Sequence, residues 1–255
     1  MIDSMSELES CHALLRQIIG DEIEPIEVMC RAEEHRFHWR PKDVRVILLA
    51  ESHVYTAKAE LDRCLKISDD GFKIIPQGFV RLVYCPGYGE NEALDLPIVN
   101  PKNSGTPQFW KVFFSCLNRV SANCDFVPIL KGGETNLARR LGNKLRLLGE
   151  LRAKGVWLLD ASLAALYIPG RPKPAAEIIQ AALRISWDSY LRTVICDARP
   201  SHVVCIGRGV GREMRRRLRD STGVAVTILP QPNARLSAAE HLDAFHKYYE
   251  VCQGV

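Results

Sequence analysis

Residues 44–53, with the sequence Val-Arg-Val-Ile-Leu-Leu-Ala-Glu-Ser-His, decide the fold of this chain. The apolar part, residues 44–50, is rich in β-branched side chains and lacks a polar-apolar alternation, which is typical of a strand covered on both faces of a parallel sheet. Polar side chains begin at Glu51, where the strand should end. Because ligands bind beyond the carboxyl ends of the strands in such sheets, we expect chemistry at this end.

Three further apolar runs of the same kind follow, at residues 155–160, 202–207 and 224–229. Helical periodicity fills the intervals between them, at residues 136–151, 175–192 and 210–219. This order is that of right-handed β-α-β units. The sequence therefore predicts an α/β fold, a three-layer α/β/α sandwich around a central four-stranded parallel sheet.

The length of 255 residues and a hydrophobic content of 47% predict a single domain over residues 1–255. A helical extension occupies about residues 1–40, and its first helix is expected over residues 5–20, with Ser6 and Glu9 as a capping box. A long insertion at about residues 53–135 is rich in Pro and Gly. Such a stretch indicates either binding loops or a plain surface excursion.

Charge and cysteine content narrow the class of protein. The formal net charge of +4 permits a polyanionic partner and is equally compatible with a small-molecule enzyme. The nine cysteines contain no C-x-x-C pair, so neither a metal nor another cofactor is expected. Unpaired thiols on apolar strands indicate a reducing compartment. The sequence shows no secretory signal and no apolar stretch of roughly 20 residues, the length that a membrane-spanning helix needs. We expect a soluble, cytoplasmic monomer that does not bind membranes.

Two further strand ends carry polar residues, at Asp160 and at Pro230-Gln231-Pro232-Asn233. Together with Ala50-Glu51-Ser52-His53, they resemble in order and strand context the uracil-DNA glycosylase superfamily, over roughly residues 44–250. In that superfamily three strand-end motifs form one pocket. The first segment is similar to the Gly-Glu-Ala-Pro form of the first motif. Residues 155–160, Gly-Val-Trp-Leu-Leu-Asp, are similar to the second, with Asp in place of the base-reading Asn, and Gln231 replaces the His of a His-Pro-Ser motif.

The resemblance implies a protein that binds nucleic acid, with DNA as the expected partner, and hydrolyses the N-glycosidic bond of a flipped damaged or deaminated base. Glu51 would position water and stabilise the cation-like sugar; alternatively it is an idle carboxylate at a helix start. His53 would stabilise the departing base or serve only as a structural residue, and Gln231 and Asn233 would donate through their amides. Since a Gln amide stabilises an oxyanion only weakly, a catalytically inactive nucleic-acid or nucleobase-binding module of the same fold is the main alternative.

The same resemblance suggests how a base would be bound. Asp160 only accepts hydrogen bonds when it is ionised, so it would read an exocyclic amino group; alternatively it caps a helix that starts at residue 161. The stacking aromatic would be Phe79, Phe72 or Tyr55, each of which could instead be core.

Contacts with the DNA backbone and groove are expected at two places. Leu236, flanked by Arg235, stands where the superfamily has a loop that enters the minor groove. Arg212, Arg215 and Arg216 would contact phosphates or form a solvated helix face. Glycines at 207, 209 and 211 open the same helix and leave a further alternative, a Rossmann-like enzyme that binds a nucleotide phosphate there.

Overall fold

The structure is a computed structural model that describes residues 4–66, 75–98 and 106–254. Each of the four apolar runs contains one strand: Val46–Ala50 (β1), Val156–Asp160 (β2), His202–Ile206 (β3) and Ala225–Leu229 (β4). All neighbouring pairs are parallel, and the strand order is β2-β1-β3-β4. The predicted α/β class with a four-stranded parallel sheet is therefore confirmed, in an arrangement consistent with a three-layer sandwich.

The register of the sheet brings the strand ends to one edge. Ala50 lies beside Asp160, Leu49 lies beside Cys205, and Ile206 lies beside Leu229. The chain passes from β1 to β2 on one side, and β3 then pairs with the other side of β1. In open parallel sheets such a reversal opens a crevice between the two strands concerned. Here the crevice lies between the ends of β1 and β3.

Eight α-helices surround the sheet in the described part of the chain, and none of them is both long and apolar enough to cross a membrane. They are α1 (Ser4–Ile19), α2 (Ile26–His38), α3 (Thr106–Leu117), α4 (Leu137–Ala153), α5 (Ala176–Ser186), α6 (Arg192–Ala198), α7 (Arg208–Thr222) and α8 (Ala238–Gln253). The predicted leading helix is α1. Because α1 begins at Ser4, Ser6 lies inside the helix, and the predicted capping box of Ser6 and Glu9 is wrong.

Two expectations about the elements need correction. The runs were expected to be covered on both faces, but β4 is an edge strand with partly exposed side chains, and Ile228 is 36% exposed. The insertion at residues 53–135 is more than loops, because it contains α3, which packs against α8 and buries Trp110 and Phe113. The parts of the insertion at residues 67–74 and 99–105 lie outside the described residues.

One continuous cluster of buried apolar side chains includes the N-terminal extension. It runs from Leu15 on α1 and Met29 on α2, through Leu48 in the sheet, to Tyr248 on α8. The extension thus shares the core of the sheet and is held beside its carboxyl edge by the same apolar contacts that stabilise the rest of the fold.

Candidate functional site

A cleft of about 1430 Å³ opens at the carboxyl ends of β1, β3 and β4. Glu51, Ile206 and Gln231 line it, one from each of these strand ends. The remaining wall comes from the end of α1, the turn before α2, the segment after β1 up to Glu60, residues 167–173, and the side chains of Arg81 and Phe109. Among the predicted site residues, the structure brings together the following five in this cleft: Glu51, His53, Tyr55, Gln231 and Asn233.

Glu51 is half-buried in the cleft, and the hydroxyl of Tyr167 donates a hydrogen bond of 2.6 Å to its Oε2 atom. Burial and the neighbouring Glu51 carboxylate both raise the pKa of Tyr167, so the phenol stays protonated and remains a donor. Within the described part of the chain, Glu51 forms no ion pair. Its carboxylate is therefore oriented by a neutral donor and is not neutralised by a cation.

The other carboxylate oxygen of Glu51 faces the first turn of α7. A Cβ atom placed on Gly209 would lie 3.7 Å from Oε1. The first amides of a helix carry partial positive charge, which attracts a carboxylate placed there. The same geometry weakens the Rossmann-like alternative, because a phosphate bound at this helix start would meet the negative charge of Glu51.

Gly207 connects β3 to α7 and needs to be glycine. Its φ angle is +103°, a conformation that side chains with a Cβ rarely adopt. An added Cβ atom would also lie 2.9 Å from Cγ of Gln231. The close approach of this turn holds the half-buried Gln231 side chain against the end of β3 and so fixes its place in the cleft.

His53 forms the floor of the cleft and is nearly inaccessible. Its Nε2 atom lies 2.5 Å from Oε1 of Glu24, and its Nδ1 atom lies 3.7 Å from Oδ2 of Asp160. Burial disfavours the charged imidazole, but the Glu24 carboxylate, with Asp160, outweighs burial and raises the pKa of His53 to about 9. Nδ1 also lies 3.4 Å from Nη2 of Arg36. Both ring nitrogens therefore have buried protein partners, so the structure supports the structural interpretation of this residue over the catalytic one.

Asp160 is buried and ion-paired with Arg36, whose guanidinium also pairs with Glu33. Burial disfavours its ionised form, yet Arg36 and His53 hold the pKa of Asp160 below its usual value. Residues 161–175 contain no helix, so the interpretation of Asp160 as a helix cap is wrong. The carboxylate instead stabilises two buried cations.

Asp160 does border a small pocket of about 50 Å³ behind the cleft, together with Leu158 and Phe109. Liquid water occupies about 30 Å³ per molecule, so this space holds one or two waters and is too small for a base. A base would therefore have to lie in the main cleft, with Asp160 out of its direct reach.

The aromatic residues are distributed differently from the prediction. Phe79 is fully buried and does not border the cleft, whereas Tyr55 does, and Phe72 lies outside the described residues. Phe109, which the sequence did not single out, borders both the cleft and the small pocket. Its position on the apolar helix α3 resembles that of a core residue, which is why no sequence signal distinguished it.

None of the predicted DNA-contacting side chains lines the cleft. Arg235 is exposed and Leu236 is half-buried in the turn before α8. Arg212, Arg215 and Arg216 are exposed on α7, whose first turn forms part of the cleft rim. These residues surround the site without entering it.

Comparisons of the chain with protein-family models, with curated proteins and with solved structures found no match. Within the described residues, no group of three or more His, Cys, Asp or Glu side chains is arranged to hold a metal ion. The open cleft presents an oriented carboxylate, two side-chain amides and the cations Lys58 and Lys173. Three ion pairs also line it: Arg16–Asp21, Arg171–Glu22 and Arg81–Glu60.

Proposed function

We propose that this protein is a uracil-DNA-glycosylase-like α/β/α sandwich that binds nucleic acid and hydrolyses the N-glycosidic bond of a base. The observation that carries the proposal is the position of Glu51. It lies where the strand order reverses, in an open cleft, with an oriented carboxylate to which none of the described residues pairs a cation. Hydrolysis through a cation-like sugar requires a carboxylate in such a setting.

The reaction assigns a role to each strand end. Glu51 accepts a proton from a water molecule while the water oxygen bonds to the anomeric carbon, and its negative charge stabilises the sugar in the transition state. The carbon-nitrogen bond breaks, and its electron pair leaves with the base, which then takes a proton from solvent. The amides of Gln231 and Asn233, which line the same cleft, are the donors available to the departing base.

A second candidate function is binding without cleavage. The specific observation in its favour is the environment of His53, whose two ring nitrogens face Glu24 and Asp160 and are not directed at a ligand. With Gln231 as the alternative donor, stabilisation of a departing base would be weak. This candidate uses the same cleft and the same partner.

The test is release of base from oligonucleotides that carry uracil, hypoxanthine, xanthine or mismatched cytosine. Glu51→Gln should lower the release rate by about 100-fold or more, the range typical of a lost acid-base group. Glu150→Gln is the matched control, because Glu150 is exposed on α4 and its side chain makes no hydrogen bond or ion pair in the described part of the chain. Binding of these oligonucleotides without release would favour the second candidate, and absence of binding would contradict both.

A further inference from the structure

Helix α7 carries a concentrated positive charge. It contains six arginines and only two acidic residues, a net charge of +4, which equals the formal net charge of the whole chain. Positive and negative formal charges are therefore equal in number in the rest of the chain. The arginines are Arg208, Arg212, Arg215, Arg216, Arg217 and Arg219.

The arginines of α7 fall into two groups on different sides of the helix. Arg216 pairs with Asp220 at 3.3 Å, and Arg217 pairs with Glu213 at 3.4 Å and with Asp188 at 3.5 Å. The other four follow one another at intervals of four, three and four residues, which places them along a single line on the helix surface. We call this line the arginine stripe; it consists of Arg208, Arg212, Arg215 and Arg219, which are all exposed.

The arginine stripe works against the stability of its own helix. Within the described part of the chain, none of its four members pairs with an acidic side chain, and the first turn of α7 contains no acidic residue. Cations near a helix N-terminus and like charges three or four residues apart both disfavour the helix. Features that break such local rules are expected where function requires them, and an anionic partner would remove the penalty.

The stripe begins at the rim of the cleft. Arg208 is the first residue of α7, directly after the turn at Gly207, and Ile206 just before that turn lines the cleft. From Arg208 to Arg219 the helix rises by about 16 Å, at 1.5 Å per residue. One strand of B-DNA carries a phosphate about every 3.4 Å along its axis, so the stripe matches roughly five phosphates.

We propose that the arginine stripe binds the phosphate backbone of a nucleic acid that flanks the nucleotide held in the cleft. The identity of this polyanion rests on the proposed function. The stripe itself supplies binding energy that is independent of sequence and of base damage, because it contacts only phosphates.

The experiment measures binding of a labelled, undamaged DNA duplex to the full chain at several salt concentrations. The triple variant Arg212→Gln, Arg215→Gln, Arg219→Gln should reduce the slope of log K against log salt by about 2.7, at about 0.9 per lost phosphate contact. Affinity at 0.1 M salt should fall by about 100-fold or more. The control variant has the same net charge as the stripe variant and should keep the wild-type slope. It replaces three exposed basic residues elsewhere by Gln, namely Arg119, Arg146 and Lys154.

A second readout excludes misfolding. Without DNA, the stripe variant should melt at the same temperature as the wild type or at a higher one, since like charges have been removed. An unchanged salt slope, an equal loss in the control variant, or stripe-dependent binding of polyglutamate but not of DNA would overturn the inference. If base release depends on Glu51 but the salt slope is the same in the stripe variant and the wild type, only the role of the arginine stripe is refuted. If the salt slope depends on the stripe but no base is released, only the hydrolytic function is refuted.

Discussion

Raising the pH from 7 to 8.5 should lower the free energy of unfolding by about 2 kcal/mol, and His53 is the group responsible. Its pKa is raised from 6.5 to about 9 by the Glu24 and Asp160 carboxylates, against the effect of burial. Between these two values the folded state holds a proton that the unfolded state has lost. The stabilisation is therefore complete below about pH 6.5 and disappears as the pH rises through about 9, at up to 1.36 kcal/mol per pH unit.

Urea unfolding, followed by tryptophan fluorescence at pH 6.5, 7, 7.75 and 8.5, measures this slope. Glu24→Gln removes the strongest cause of the raised pKa and should flatten the slope, whereas Glu150→Gln should leave it unchanged. Buried thiols also have raised pKa values, but their effect falls mainly above pH 9 and is common to both variants. A flat wild-type curve, or a slope that persists in Glu24→Gln, would show that the ion pair of His53 is not formed as described.

Three other substitutions test the packing and the site. Arg36→Met should lower the free energy of unfolding in urea by about 3–5 kcal/mol, because it removes the cation paired with the buried Glu33 and one of the two cations beside the buried Asp160. Gly211→Ala should cost about 1–3 kcal/mol in the same assay, since its Cβ would lie 2.5 Å from Cδ1 of Ile228, and adding Ile228→Ala should restore most of the loss. Tyr167→Phe should slow base release by about 10-fold, because the Glu51 carboxylate loses the hydrogen bond that orients it.

The strands were predictable because each is a short apolar run that ends in polar or turn residues, and this pattern is local. The exposure of β4 was not predictable. Both β2 and β4 are edge strands, yet β2 is fully buried, so the difference depends on which faces the helices cover, and no single run encodes that. Helix α3 was missed for a different reason. It follows directly on a Pro- and Gly-rich stretch and has Pro at its second position, so the helical spacing of its apolar residues is masked by the loop-like sequence around it.

The site was predictable where it depends on strand ends alone. Glu51 and Gln231 meet because they follow strands that end at the same edge of the sheet. Asp160 also lies at such a strand end, but its carboxylate is paired with Arg36, which lies 124 positions earlier in the chain. Tyr167 contacts Glu51 from an irregular segment after β2, and no sequence motif predicts that contact. Pairings between distant segments decide which polar residues remain available, and they are visible only once the helices have packed.

Ion pairing therefore separates the carboxylates near this edge of the sheet into two kinds. Glu24, Glu33 and Asp160 are buried beside His53 and Arg36, where their charge holds α2 and the turn before it against the ends of β1 and β2. Breaking these pairs would leave a buried charge without its partner, at a large cost. Glu51 differs from the other three because it lies in the open cleft, half-buried rather than buried, and its partner is a neutral donor. The network thus stiffens the wall of the cleft next to Glu51, and rigid surroundings are what the acid-base role proposed for this residue would require.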